Sequence, residues 1–363
     1  MAFVGSVILT ILVRRWALAN EFVDQPGERK IHYRPIALGG GIAIFWAVIL
    51  PVAIATIFAM AFNRFGTPSW LSQELADHVP GLAGRSRMAG VLIVAAGILH
   101  VTGLIDDRKH LGPFIKLAIQ FAVALFITTV GQIRFSLFIP NGFITTLLSL
   151  FWIVVIVNAF NFLDNMDGLS AGIAVICSVI ILSAALASGQ VFVSGLLALI
   201  IGSLLGFLFF NFAPAKIFMG DAGSLLVGML LAVATIRTTY YHADAVQSYW
   251  YSAFIPLVTL AVPLYDFISV TLLRIRQGKS PFLGDKQHFS HRLVSRGMST
   301  RQAVLTIYLA TACTGLGATF LHQVSTTGAI LIFGQTLLIV LMIAILEQPL
   351  KYHDSEPKNT HNQ

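Results

Sequence analysis

The stretch Ile144–Ser170, "ITTLLSLFWIVVIVNAFNFLDNMDGLS", runs an apolar segment fit for a bilayer straight into three asparagines and two aspartates. Asn158, Asn161, Asp164 and Asp167 recur every three residues. On a helix each such step turns the side chain by about 60°, so a straight helix would spread the four over half its circumference. They sit better around a polar cavity where the helix ends, with Gly168 releasing the backbone. Capping explains one or two polar residues at a helix end, not four in period without a basic neighbour. Carboxylates and amides that offer oxygen ligands suit a hard divalent cation, Mg2+ or Mn2+.

The rest of the chain supplies the bilayer. Of 363 residues, 56% are hydrophobic and 11% charged, against about 25% charged in a soluble domain. The class is therefore an all-α, polytopic membrane protein. Eleven segments have the length and apolarity of a span: 1–19, 36–62, 88–105, 114–130, 143–160, 169–187, 191–213, 222–239, 250–273, 301–321 and 327–346. The first lacks a basic leader region and reads as a retained span. Arg64, Arg85, Arg87, Arg134 and Arg237 fall on one face, and the remainder of the 23 Lys and Arg fall on the other. By the positive-inside rule the N-terminus lies outside and the C-terminus in the cytoplasm. One transmembrane domain, 1–346, carries loops at 20–35, 106–113, 161–168, 214–221 and 274–300, and 347–363 form a polar tail. Cys177 and Cys313 read as buried thiols.

Further polar clusters lie on the basic face. Asp106 and Asp107 close the third span and Lys116 opens the fourth; adjacent carboxylates at a membrane boundary persist because a cation, a basic group or water stabilises them, and an ordinary solvated loop beside Arg108 and Lys109 is the plainer reading. Asp221 stands in "FMGDAGS", where small residues and a helix start favour close backbone approach; an N-cap is the plainer reading. The loop "RIRQGKSPFLGDKQHFSHRLVSRGMSTRQ" has seven Lys/Arg, His288, His291 and one acid, which suits phosphate better than a metal. Clustered acids that want a divalent cation beside clustered bases that want phosphate suit phosphoryl transfer. Membrane embedding implies a lipid as one substrate.

These motifs, "DQPGERKIH", "DDRKHLGPFIK", "NAFNFLDNMDGL", "FMGDAGS" and "DKQHFSHRL", resemble in order and spacing those of the polyprenyl-phosphate N-acetylhexosamine-1-phosphate transferases, glycosyltransferase family 4. The likeness runs from Asp24 to Arg301 and is strongest to the undecaprenyl-phosphate N-acetylglucosamine-1-phosphate branch. It implies Asp221 as the principal metal ligand with Asn161 as its partner. Asp106, Asp107, Lys116 and Asp164 then serve catalysis, with Lys116 facing phosphates. Asp167, Asn211 and Phe218 would surround the uracil, and His288, His291 and Arg292 the diphosphate or sugar. Two departures stand out: Ser290 occupies a position usually held by histidine, and Ala37-Leu38 replace a Pro-Arg pair.

The expectation is a bacterial inner-membrane enzyme, its active site facing the cytoplasm, that uses Mg2+ or Mn2+. It would transfer N-acetylhexosamine 1-phosphate from a UDP-N-acetylhexosamine, with UDP-GlcNAc the favoured donor, to undecaprenyl phosphate. The products are the diphosphate-linked sugar and UMP. Direct attack by the lipid phosphate is favoured over a covalent phospho-enzyme on Asp106 or Asp107. Expected partners are membrane lipid and a second copy in a homodimer, with no nucleic acid. Rival expectations are transfer of another UDP-HexNAc or of the phospho-N-acetylmuramoyl-pentapeptide, a secondary transporter, and an inactive relative.

Overall fold

A computed structural model describes residues 1–25, 35–135, 139–238, 240, 249–280 and 287–347. Parts of the 20–35 and 274–300 loops, and the tail beyond Glu347, lie outside the described residues. The chain runs α1 (Ala2–Ala19), β1 (Val23–Asp24), β2 (Ile36–Ala37), α2 (Gly40–Phe65), α3 (Gln73–Ala83), α4 (Ser86–Lys109), α5 (Pro113–Thr129), α6 (Gly142–Leu163), α7 (Leu169–Ala187), α8 (Val191–Asn211) and α9 (Asp221–Arg237). A 3-10 turn (Trp250–Phe254) leads into α10 (Ile255–Thr259), α11 (Ala261–Arg276), α12 (Phe289–Ser295), α13 (Thr300–Phe320) and α14 (Thr326–Leu346). Among the described residues, eight helices are long and apolar enough to cross a membrane. Each of the eleven expected segments coincides with helix, although α5 and α9 have only 17 residues each.

The segment expected as one span at 250–273 is broken: α11 is bent 63° from the turn and helix before it. Proline explains the break. Pro263 has no N–H to give the Thr259 carbonyl four residues back, and the Cys177 thiol donates to that carbonyl instead at 3.5 Å. Cys177 is buried as expected, whereas Cys313 is only half-buried.

At the centre stands α9, buried without interruption from Ala222 to Ile236 and packed by α2, α4, α6, α7 and α8. A helix apolar all round belongs in such a position. Small residues bring its neighbours close, as in membrane helix pairs generally. A Cβ on Gly103 of α4 would lie 2.2 Å from the Ala222 nitrogen, and one on Gly228 would lie 2.7 Å from the Val157 Cα of α6. His100 of α4 is buried against the same junction, its Nδ1 3.1 Å from the Ala222 carbonyl oxygen. On the other side α1 lies on α8, where the Ser6 hydroxyl donates to the Ser203 carbonyl at 2.6 Å.

The outer surface is apolar too. Leu331, Leu338 and Ile345 of α14 are each at least 65% exposed, as expected where lipid is the solvent. The small hairpin pairs Val23 with Ala37 and Asp24 with Ile36. Ala37 also bridges Ile217, which ties the chain after α1 to the loop preceding α9.

Candidate active site

The polar groups gather at one end of the bundle because several helices begin or end there. The last turn of α4 supplies Asp106 and Asp107, the first turn of α5 Lys116, the end of α6 Asn161 and Asp164, and the start of α9 Asp221. The expected loop at 106–113 is thus partly helix, since α4 continues to Lys109. The Lys116 ammonium joins the set: Nζ lies 2.9 Å from Asp106 Oδ2 and 2.9 Å from Asp221 Oδ2. The other Asp221 oxygen accepts from Asn161 Nδ2 at 3.0 Å, and the same amide donates to the Ser224 hydroxyl at 2.9 Å.

The two adjacent aspartates do different things. Asp106 Oδ1 accepts from the Leu111 N–H at 2.6 Å, which shapes the turn between α4 and α5. Asp107 accepts from the amides of Asp221 and Ala222, at 2.8 and 3.3 Å. It therefore caps the N-terminus of α9 from another helix, placing negative charge against the positive end of the dipole. Gly220 makes this possible: its φ is +69°, and a Cβ there would sit 2.5 Å from Asp107 Oδ2.

Asp164 caps α6 beyond the span. Burial first, then the negative charges of Asp221 and Asp107, push its carboxyl well above the usual carboxylate range. Four carboxylates share one ammonium here, so the cluster is over-supplied with negative charge and with hard oxygen donors. That donor set fits a divalent cation of the Mg2+ type. Among the described residues no three acidic, histidine or cysteine side chains converge on one point as a ready-made metal cage, so oxygens from a substrate would complete its shell.

The other expected residues divide into two groups. Asp167 Oδ2 accepts from the Ala215 N–H at 2.9 Å, linking the α6–α7 loop to the α8–α9 loop. Asn211 bridges the same loops, accepting from the Gly168 N–H at 3.1 Å and donating to the Ile217 carbonyl at 2.9 Å. Half-buried Phe218 lies beside them, its backbone N–H donating to the Ala37 carbonyl at 2.9 Å. Asn158, first of the period-three set, takes no part in the cleft: its amide donates to Gln120 Oε1 at 2.6 Å between α5 and α6.

The histidine segment is held by residues that sequence reasoning missed. Asp266 of α11, fully buried, takes the His288 Nδ1 at 2.9 Å and the Phe289 N–H at 3.1 Å. Its signal was available, since it is the only charged residue between Trp250 and Leu273, and an acid inside an apolar span is functional by default. Arg274, also buried, lies over the Phe162 ring at 5.0 Å, and that ring meets the edge of His288 at 5.5 Å. His291 stands 6.4 Å from His288, ring to ring. Arg292 pairs with Glu347 at 2.8 Å, and the Tyr265 hydroxyl donates to the same carboxylate at 2.6 Å. Burial raises the Glu347 carboxyl, while Tyr265 and Arg292 draw it back down. Ser290 is fully buried and donates to Asn165 Oδ1 at 2.7 Å. It thus joins the α12 segment to the α6–α7 loop.

An all-α bundle with acids, a lysine and a buried histidine segment collected at one end defines a membrane protein with a polar site at a helix-end junction. The comparisons with known proteins give the family. A model described as glycosyl transferase family 4 matches residues 89–239. The chain is 34% identical over 320 residues to the probable undecaprenyl-phosphate N-acetylglucosaminyl 1-phosphate transferase of Bacillus subtilis, covering 85% of this chain and 81% of that protein. It is 35% identical to the decaprenyl-phosphate N-acetylglucosaminephosphotransferase of Mycobacterium leprae, covering 87% and 81%. Identity to the undecaprenyl-phosphate alpha-N-acetylglucosaminyl 1-phosphate transferase of Escherichia coli K12 is 27%, covering 85% and 79%. The chain belongs to glycosyl transferase family 4.

Proposed function

We propose that this protein transfers N-acetylglucosamine 1-phosphate from UDP-GlcNAc to a polyprenyl phosphate, undecaprenyl phosphate in the first instance, releasing UMP. The reaction would be the first membrane step of an envelope glycan, carried out at the cytoplasmic face of a bacterial inner membrane. The observation that carries this reading is Lys116 bridging Asp106 and Asp221 at 2.9 Å each. Such an ammonium is poised to exchange one carboxylate for a phosphate oxygen. The names of the relatives support the sugar and the lipid class. Membership of an enzyme family leaves the transporter reading without support.

An oxygen of the lipid phosphate attacks the β-phosphorus, and the bond from that phosphorus to the bridging oxygen breaks, so UMP leaves with the bridging oxygen. A phosphate nucleophile is already anionic near neutral pH and needs no strong base. Lys116 draws acceptor or diphosphate oxygens toward the cluster and spreads the charge that develops on them. Asp221, oriented by Asn161, and Asp164 would hold a Mg2+ or Mn2+ ion, which when bound neutralises diphosphate charge. Asp106 and Asp107 have their oxygens committed, to Lys116 and Leu111 and to the start of α9 respectively. That commitment favours direct attack over a phospho-aspartate, because a nucleophilic Asp107 would have to abandon the helix it caps. Asp167, Asn211 and Phe218 would form the uracil end of the cleft, and His288, His291 and Arg292 the sugar-diphosphate end.

The test is UMP release by purified protein given undecaprenyl phosphate, Mg2+ and UDP-GlcNAc, beside Asp221→Ala. Lipid-dependent release that the variant abolishes is expected. Equal turnover of UDP-N-acetylmuramoyl-pentapeptide would overturn the sugar assignment, and a stoichiometric burst of UMP without lipid would overturn direct attack.

A further inference from the structure

The helices that carry Lys116, Asn161 and Asp221 at one end carry a different chemistry at the other. There, at the end of α5, the start of α6 and the end of α9, a cavity of about 350 Å³ is lined by Gln132, Arg134, Phe135, Gly142, Thr145 and Arg237, among others. Seventeen helical residues at 1.5 Å each put it about 25 Å from the carboxylate cluster. We propose that this cavity binds a phosphate ester anion, supplied by the head group of an anionic phospholipid in the leaflet away from the active site.

The charges favour an anion. The Arg237 Nε is buried and has no hydrogen-bond partner, and Arg85 lies close enough to repel its guanidinium. Among the described residues Arg134 donates to one acceptor, the Gly142 carbonyl, at 3.5 Å. Among the described residues none of these arginines has a carboxylate partner. A guanidinium cannot shed its proton and presents a planar fork of donors, so the group that satisfies Arg134 and Arg237 together is an oxyanion able to accept from both. Phosphate does so readily. The surroundings choose a lipid as its carrier. Val130, Phe143 and Ile144, within two residues of the cavity's lining in sequence, are 40%, 75% and 42% exposed, and they offer acyl chains apolar surface.

The experiment uses the full chain, purified in detergent and stripped of lipid, with phosphatidylglycerol, phosphatidylcholine and inorganic phosphate as probes. Native mass spectrometry should show phosphatidylglycerol retained about tenfold more strongly than phosphatidylcholine, a difference of one extra charge-assisted pair. Arg134→Gln and Arg237→Gln should each lower that preference at least about threefold, while Arg64→Gln, outside the cavity, should leave it intact. Arg134 makes only one long contact, so Arg134→Gln decides the matter even where Arg237→Gln does not fold. UMP release by Arg134→Gln, assayed with undecaprenyl phosphate in detergent free of other phospholipid, should match the parent. A preference that survives both substitutions, or no preference at all, overturns the proposal. Thermal stabilisation by inorganic phosphate equal to that by phosphatidylglycerol, and lost in Arg134→Gln, overturns the lipid assignment in favour of a soluble anion.

Discussion

Exchanging Lys116 for methionine keeps the length of the side chain and removes its charge, leaving Asp106 and Asp221 to repel each other. Turnover of UDP-GlcNAc should fall by roughly a hundredfold or more, the scale of losing one preorganised charge partner, and a steady-state UMP assay would show it. Asp164 gives a pH dependence with a definite sign. Its carboxyl is raised above the usual range, so it takes a proton as pH falls through that raised value and then ceases to attract a cation. The Mg2+ concentration for half-maximal activity should therefore climb as pH falls, approaching about tenfold per pH unit for one linked proton. Asp164→Asn should flatten that dependence. Asp266→Asn tests the buried pair with His288: loss of the carboxylate frees the ring to take either tautomer. We expect kcat/KM to drop about tenfold or more with a displaced pH profile, while a purely structural role would lower the melting temperature and leave the profile in place. Asp106, Asp107, Asp164 and Asp221 were legible in the sequence because carboxylates beside apolar runs stand out. Asp107's part as a helix cap was not, since it depends on α4 meeting α9 more than a hundred residues later.

At the scale of helices, the end that carries the acids is held by close approach between α4 and α9. Gly103→Val would drive a side chain into the backbone of Ala222, and backbone does not yield as a flexible side chain would. A loss of about 1–3 kcal/mol is expected, read as earlier thermal unfolding in detergent. Gly5→Ala, where nothing lies within 4 Å, is the neutral control. The period-three polar pattern correctly located the end of α6 but assigned Asn158 to a cavity when it pairs with Gln120 between helices. Sequence spacing tells which face a residue takes, not what faces it. The break between α10 and α11 had a visible cause in Pro263, yet its apolar surroundings kept 250–273 reading as one span.

Across the whole molecule, the distribution of Lys and Arg predicts an N-terminus on the far side and Glu347 on the cytoplasmic side. Membrane-impermeant labelling of cysteines placed at Ser72 and Arg276, in a background without Cys177 and Cys313, should mark Ser72 from outside and Arg276 only after permeabilisation. The reverse pattern would invert the orientation. Architecture was the most legible level of all, because a bilayer needs long apolar helices and their limits show in composition. Long-range pairing was the least legible: nothing near Arg292 in the sequence points to Glu347, and nothing near His288 points to the interior of α11.

The clamp of Glu347 on Arg292 also bears on biosynthesis. Asp106, Asp107, Asp164, Asp221 and Lys116 are all translated by the end of α9, long before α14. A nascent chain at that stage has those groups but neither the Arg292 segment nor the Glu347 carboxylate that pairs with it. Completion of α14 thus supplies the last partner of the Arg292 segment, so translation order leaves that pairing until after the acids at the other helix ends have been made.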